Sequence, residues 1–425
     1  MTSGASKDTA AIQQVKPLDG CKILDLTWVY SGPYATSLLL DLGAEVIKVE
    51  GPRYGDHTRT FPPFRNGDSG YFYSVNRGKK SVALNLKSEE GKTLFRRLVK
   101  EVDVVTENFV PGVMDRMGLG YETLKEINPE LIYGSIHGFG TWGPYADWPG
   151  VDPVAQAMGG LMRQSGFPDG PPMKTGPAVA DAVSGIYLAL GIVAAYLERL
   201  KTGAGKRIEI GMMDAVFSIL EESVVRASMT GNALPGRGNT DPLGAPWDAF
   251  HTKDDKWVML CSIGGDKFQR VYHAIGRDDL VEEYGGDGEE ASDKRANNLT
   301  YLNKVFAEYA QDKTSEELIE MIHSLHIPCG VAKDVAELLT DPHLIARGMV
   351  VDIDHPRLGK IKTYNDPIMF DQRSIGIQPG ENPVSPEIGQ DNEEVLSTLA
   401  GLSEADIQRL YQEGVLWHGR GSKHG

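Results

Sequence analysis

From Cys21 onward the chain alternates apolar runs of strand length with amphipathic runs of helix length, and few architectures accept that order. Lys22–Leu26 (KILDL) reads as a strand. Ser31-Gly32-Pro33 opens a helix at about Tyr34, since proline suits a first helical turn. That helix stops near Gly43, and Ala44–Glu50 (AEVIKVE) is the next strand, giving a βαβ unit. Ser81–Leu86, Asp103–Phe109 and Leu131–Ile136 are further strands. Ser88–Val102 is a helix with Ser88 as its N-cap and Glu89 and Glu90 in the first turn, where the helix dipole favours them. A long apolar helix follows Asp181 and ends at the glycine stop Lys201–Gly205, after which Arg207–Ile210 resumes a strand and Met213–Val225 reads as a helix. The expected class is α/β, a Rossmann-like large domain with a mostly parallel sheet and helices on both faces.

After about Ala227 the texture changes. Gly231–Pro246 is rich in Gly, Pro, Asn and Asp and reads as a linker or functional loop. Beyond it come strands at Trp247–His251 and Trp257–Ser262, a helix over Asp266–Ile275, an acidic surface stretch over Asp278–Lys294, and helices at Leu299–Gln311 and Ser315–His323. This describes a smaller α+β domain. The expected division is a flexible start (1–16), the first part of the large domain (17–226), the small domain with its linkers (227–335), and a return to the large domain ending in a loose polar tail (336–425).

The chain carries a formal net charge of −16, which argues against a nucleic-acid binder but leaves room for a local basic pocket holding one phosphorylated ligand. Cys21, Cys261 and Cys329 are far apart and form no CxxC, so neither a disulfide framework nor a zinc site is expected. The histidines form no HExxH or other ligand spacing, so no metal is expected. The opening segment is polar, and the longest apolar run, Ala182–Leu197, is interrupted by Ser184, Gly185 and Gly191. It reads as a buried helix in a soluble, cytoplasmic protein without a membrane partner.

The turn after the first strand, Thr27–Pro33, lacks G-x-G-x-x-G, which disfavours a dinucleotide role. Asp181 lies at the start of the apolar helix among small residues (PAVADAVSG). One reading is a helix N-cap. The other is a carboxylate nucleophile, with small neighbours leaving room for a substrate and helix amides facing an oxyanion. Asn108 and Phe109, and the cations Arg53, Lys87 and Arg116, lie just past strand ends, where open α/β sheets bind ligands and where cations can hold phosphates. His137 has no Ser or Cys partner and reads as structural. Asp152 and Asp181 are a candidate carboxylate pair whose roles only geometry can order.

In their order along the chain these residues resemble the class III CoA-transferases, the formyl-CoA transferase and carnitine CoA-transferase type. The resemblance is carried by Pro17–Gly20 through Leu24–Thr27 and Ser31–Pro33, by Leu42–Glu50, Gly55–Arg59, Asn85–Lys87 and Glu107–Phe109, by Gly138–Gly140 with Gly143–Tyr145, and by Val154–Ala157 and Asp169–Pro172. Lys201–Gly205, Met213–Ala215, Ile327–Gly330 and Asp341–His343 complete it, and the matches cover roughly Pro17 to Asp391. The resemblance implies a homodimer of interlocked ring-shaped subunits and no permanently bound cofactor, coenzyme A and acyl-CoA being substrates alongside a free carboxylic acid. It implies that Asp181 attacks the thioester and passes through an aspartyl anhydride and an aspartyl-CoA thioester. It further implies that Trp28, Val29, Arg53, Leu84, Lys87, Asn108, Phe109 and Arg116 line the CoA site, and that Tyr30, Phe61, Tyr71 and Val151 lie about the substrate pocket.

The chain departs from the oxalate-using members at three of these positions. Tyr30 replaces a glutamine, Phe61 a tryptophan and Val151 a tyrosine, and the loop Gly236–Pro246 is shorter and has no glycine run. The related α-methylacyl-CoA racemases need a histidine at the position of Val151. A valine cannot carry a proton, so transfer is favoured over racemisation. A CoA-binding protein without chemistry is the other alternative.

Overall fold

The computed structural model describes residues 16–419. Of the expected flexible start (1–16) all but Lys16, and of the polar tail the last residues, lie outside the described residues. Six strands form one sheet: β1 (Lys22–Asp25), β2 (Glu45–Glu50), β3 (Lys80–Ala83), β4 (Val104–Glu107), β5 (Ile132–His137) and β6 (Arg207–Gly211). Their order is β3-β2-β1-β4-β5-β6, and every pairing is parallel. Parallel neighbours need crossovers, which place helices on both faces and bury the strands. Alternate residues of one strand accordingly enter different cores. Leu24 joins Leu94, Phe95 and Leu98, together with Leu396 and Ile407 of the C-terminal helices Asn392–Ala400 and Glu404–Gln412. Ile23 joins Leu39, Leu188 and Ile192 on the opposite face.

Local chemistry explains the element starts. Ser88 Oγ accepts the Gly91 N–H at 3.0 Å, which caps the helix Glu89–Val99 as its sequence requires. The helix Ser31–Asp41 begins directly after Tyr30, with no side chain capping it. The stretch expected as one helix after β6 is two, Met212–Ser218 and Glu222–Thr230, because Glu221 takes a positive φ of 50° that a helix cannot continue through.

The apolar helix runs from Val179 to Thr202, longer than its apolar run. Length and composition alone would let it cross a membrane. It packs instead along the helix Ser31–Asp41 and the sheet, burying Leu188, Ile192 and Ala195. The expectation of a buried helix is therefore half corrected, since Ile186, Leu190, Leu197 and Leu200 stand exposed along its other side.

A second compact unit takes residues 163–173 and 233–341. Its antiparallel sheet orders Cys329–Val331, Trp257–Ile263 and Gly244–His251. Helices close over a core of Phe250, Phe268, Tyr272 and Phe306. The acidic stretch expected at its surface forms the helices Asp278–Tyr284 and Glu289–Asn297. The three cysteines are free thiols.

Gly185 lets the two helices of the first unit cross closely, because a Cβ there would lie 2.7 Å from the Ser31 carbonyl oxygen. Gly185→Ala is expected to destabilise the protein by roughly 1–3 kcal/mol, the usual cost of overpacking. Urea denaturation followed by circular dichroism checks this; an unchanged midpoint with an unchanged slope would show that the crossing has slack.

Candidate active site

The strand order reverses between β1 and β4, so their carboxyl ends open a crevice of the kind that binds ligands in α/β sheets. The two loops leaving it are tied together. The Trp28 N–H donates to Asn108 Oδ1 at 2.9 Å, and Asn108 Nδ2 donates back to the Trp28 carbonyl at 2.8 Å. The Trp28 and Phe109 rings meet edge to face, with centroids 5.4 Å apart. Val29 follows with a φ of 69°, a strained value for a β-branched residue. Its N–H donates to Asp56 Oδ1 at 3.2 Å, and Asp56 is fixed by a fully buried ion pair with Lys48 at 2.9 Å.

Trp28 and Phe109 form a wall common to two cavities. The larger, about 980 Å³, is lined by Arg53, Lys87, His57 and Trp417 among others. The Arg53 guanidinium lies over the Trp417 ring, 5.3 Å from its centroid, a cation–π contact. The smaller chamber, about 330 Å³, is lined by Val29, Ser31, Asn108, Val151, Asp152 and Asp181. A third, polar cavity of about 440 Å³ takes Arg116, Tyr133, His137 and Arg207.

Asp181 sits in the first turn of its helix, whose N-cap position belongs to Ala178. The capping expected of Asp181 is done by Asp152, from the start of the helix Asp152–Met158. Asp152 Oδ1 accepts the N–H groups of Ala180 at 2.8 Å and Asp181 at 3.3 Å, and its Oδ2 accepts from Gln156 Nε2 at 2.8 Å. The Asp181 carboxylate is thus free of cap duty. Burial first, then the Asp152 charge, push it up to about 7 against a hydrogen bond from the Ser31 side chain. Burial also raises the Tyr30 and Tyr71 hydroxyls, and the Asp181 charge adds to both shifts.

The remaining sequence candidates are distributed as follows. Tyr30, Phe61 and Tyr71 form one aromatic cluster: Tyr71 lies edge-on to Phe61 at 5.6 Å and to Tyr30 at 6.4 Å, while Tyr30 stacks on Tyr34. Val151 is 61% exposed at the chamber rim. Leu84 is buried in the core, and it is its neighbours Asn85 and Leu86 that line the larger cavity. Arg116 lines the polar cavity rather than the larger one. Sequence reasoning missed Asp56, His57 and Trp417; Asp56 and His57 lie inside Gly55–Arg59, a motif that drew no role. Among the described residues, no group of three or more His, Cys, Asp or Glu side chains is placed to hold a metal ion.

CoA-transferase family III matches residues 18–392. The chain is 38% identical to the acetyl-CoA:oxalate CoA-transferase of Acetobacter aceti, over 85% of this chain and 93% of that one. It is 39% identical to the succinyl-CoA:mesaconate CoA-transferase of Haloarcula marismortui, over 80% of this chain and 86% of that one. The crystal structure of a CAIB/BAIF family protein from Brucella suis superposes with a TM-score of 0.80 at 34% identity, covering 91% of this chain and all of that one. The chain belongs to CoA-transferase family III and is a CoA-transferase.

Proposed function

We propose that the chain moves CoA from an acyl-CoA donor to a free carboxylic acid through covalent intermediates on Asp181. One observation carries this reading: a carboxylate at a helix start has been relieved of capping by a second aspartate and faces a chamber. The Asp181 carboxylate attacks the thioester carbonyl, the C–S bond breaks, and CoA leaves as thiolate, giving a mixed anhydride. The thiolate attacks the aspartyl carbonyl and expels the first acid as carboxylate, leaving an aspartyl-CoA thioester. The second acid's carboxylate attacks that thioester and expels the CoA thiolate, giving a second mixed anhydride; the thiolate then attacks the acyl carbon of the second acid, forming the new acyl-CoA and releasing Asp181 as carboxylate. Each step exchanges acyl groups of comparable reactivity, so one difficult transfer becomes several easier ones.

The surroundings support these steps. Ser31 lines the chamber at the start of a helix that no side chain caps, so backbone N–H groups and the positive end of the dipole favour a developing oxyanion there. The larger cavity suits the nucleotide end of CoA: Arg53 and Lys87 offer charge for phosphates, and Trp28, Phe109 and Trp417 offer rings. Two-base proton exchange is disfavoured, since Val151 holds no proton and Asp152 is already spent on three donors. The relatives' printed names include acids with two carboxyl groups, and small organic acids are the substrate class we assign.

We also infer a homodimer. Ile186, Leu190, Leu197 and Leu200 recur at helical spacing and leave an apolar stripe, Leu190 being 62% and Leu200 67% exposed. A second copy is the occupant that the family resemblance supplies.

Asp181→Asn is expected to abolish CoA exchange while calorimetry still detects CoA binding; mass spectrometry of wild-type enzyme given acyl-CoA and hydroxylamine should find a modified Asp181. Exchange at wild-type rates in the variant would refute the covalent role. The attacking group must be ionised, so kcat/KM is expected to fall as pH drops through about 7 and to level off above it. A profile flat from pH 5 to 8 would contradict that assignment. Leu190→Glu with Leu197→Glu is expected to convert a dimer into a monomer by sedimentation velocity; an unchanged species would move the interface elsewhere.

A further inference from the structure

Phe109 forms part of both the larger cavity and the Asp181 chamber, so its position governs any ligand that reaches from one to the other. Two buried side chains hold it by its backbone. Glu107, the last residue of β4, accepts the Phe109 N–H on Oε2 at 2.8 Å. His137, the last residue of the neighbouring strand β5, contacts the Phe109 carbonyl through Nδ1 at 3.0 Å. A carbonyl only accepts, so Nδ1 carries the proton and donates it. In the neutral ring Nε2 is then an acceptor. It has no hydrogen-bond partner, and it lies 3.6 Å from Glu107 Oε1. The His137 and Glu107 side chains are 3% and 6% exposed; both border the polar cavity, and His137 also borders the Asp181 chamber.

Two hydrogen bonds therefore hold the Phe109 backbone, one on its N–H and one on its carbonyl, and the two side chains that make them approach each other at 3.6 Å. Burial raises the Glu107 carboxyl to about 7 and lowers the His137 imidazole, and both shifts favour the neutral forms. Tyr133, also on β5, lies beside Glu107 and partly offsets the rise of its carboxyl. A clamp of this kind is more than core filling requires, because a buried polar pair stabilises little unless it fixes a geometry.

We propose that Glu107 and His137 are positioning residues for the transfer reaction: they fix the two peptide groups that flank Phe109, and with them the Trp28–Phe109 wall past which the thioester arm of CoA reaches Asp181. This rests on the function proposed above. The nucleotide end is held elsewhere, so loosening the wall acts on turnover more than on binding.

The test compares His137→Leu, which removes the donor, with His137→Asn, whose amide can replace Nδ1–H. The leucine variant is expected to lose roughly tenfold in kcat with KM for acyl-CoA within about twofold, as for a lost positioning contact, and the asparagine variant to recover most of that loss. Amide hydrogen exchange, read independently of activity, is expected to speed up at Phe109 in the leucine variant while Val104 and Val105 keep wild-type protection. Wild-type kcat in the leucine variant, equal losses in both variants, or unchanged exchange at Phe109 would overturn the clamp. Wild-type enzyme without CoA exchange would refute the proposed function instead, and hydrogen exchange would still decide whether the clamp exists.

Discussion

The grip of Asp152 on the start of the helix Val179–Thr202 is the contact on which the site depends. A helix start leaves several N–H groups unsatisfied, and a nearby carboxylate is drawn to them. Asp181, in the first turn, would be the obvious donor of such a carboxylate. Asp152 occupies that role from outside the helix, taking the N–H groups of Ala180 and Asp181 on one oxygen. A capping contact is typically worth about 1 kcal/mol. Its larger effect here is on what Asp181 is left to do, since its carboxylate meets Ser31 and the chamber rather than its own backbone.

The other side of the site stands on buried charge. Beneath the β1 turn, Lys79 pairs with Asp25 at 3.0 Å and Lys48 with Asp56 at 2.9 Å, all four side chains at most 1% exposed. Burial pushes the Asp25 carboxyl up, but the ammonium groups of Lys79 and Lys48, with hydrogen bonds from Thr27 and Lys79, bring it to about 2. Such pairs add little net stability, yet removing one partner costs about 3–5 kcal/mol because it strands the other. They behave as fixed pegs. Lys48 also donates to the Thr27 carbonyl at 2.7 Å, and Asp56 receives the strained Val29. The turn that carries Trp28 and Val29 is therefore held by groups that cannot relax separately.

How much of this was legible follows from the range over which each feature acts. The βαβ alternation, the Ser88 cap and the helix after Asp181 are local, and the sequence reading placed them within a few residues. Asp181 was singled out, but local spacing could not separate a cap from a nucleophile. The deciding group, Asp152, lies more than a helix-length away in sequence and shows its purpose only when its distance to Ala180 is known. Glu107 and His137 end adjacent strands, and only strand pairing reveals that both reach the backbone of one residue. Trp417 stood beside a segment read as a loose tail. Its backbone N–H donates to the Ala83 carbonyl at 3.2 Å, which brings the ring to the wall of the larger cavity. The break at Glu221 was invisible because the residues on both sides are good helix formers.

The elevated Asp181 carboxyl links these elements to the proposed chemistry. A carboxyl with an ordinary pKa of about 4 is almost wholly ionised at neutrality but weakly basic, and basicity and nucleophilicity rise together. Holding the group near 7 improves its attack while keeping a substantial fraction ionised, the compromise that general Brønsted behaviour favours. The cost is a partly desolvated charge beside a second carboxylate, with no cation among the described residues acting on it. Asp152 makes this tolerable because its own charge is spread over Gln156 and two helix N–H groups. Ser31 adds one donor, which lowers the Asp181 shift without cancelling it. A cationic partner for Asp181 would stabilise the protein and return the carboxyl toward its ordinary value, making it a poorer nucleophile. In the proposed mechanism the reactivity of this side chain comes from what the chamber withholds as much as from what it supplies.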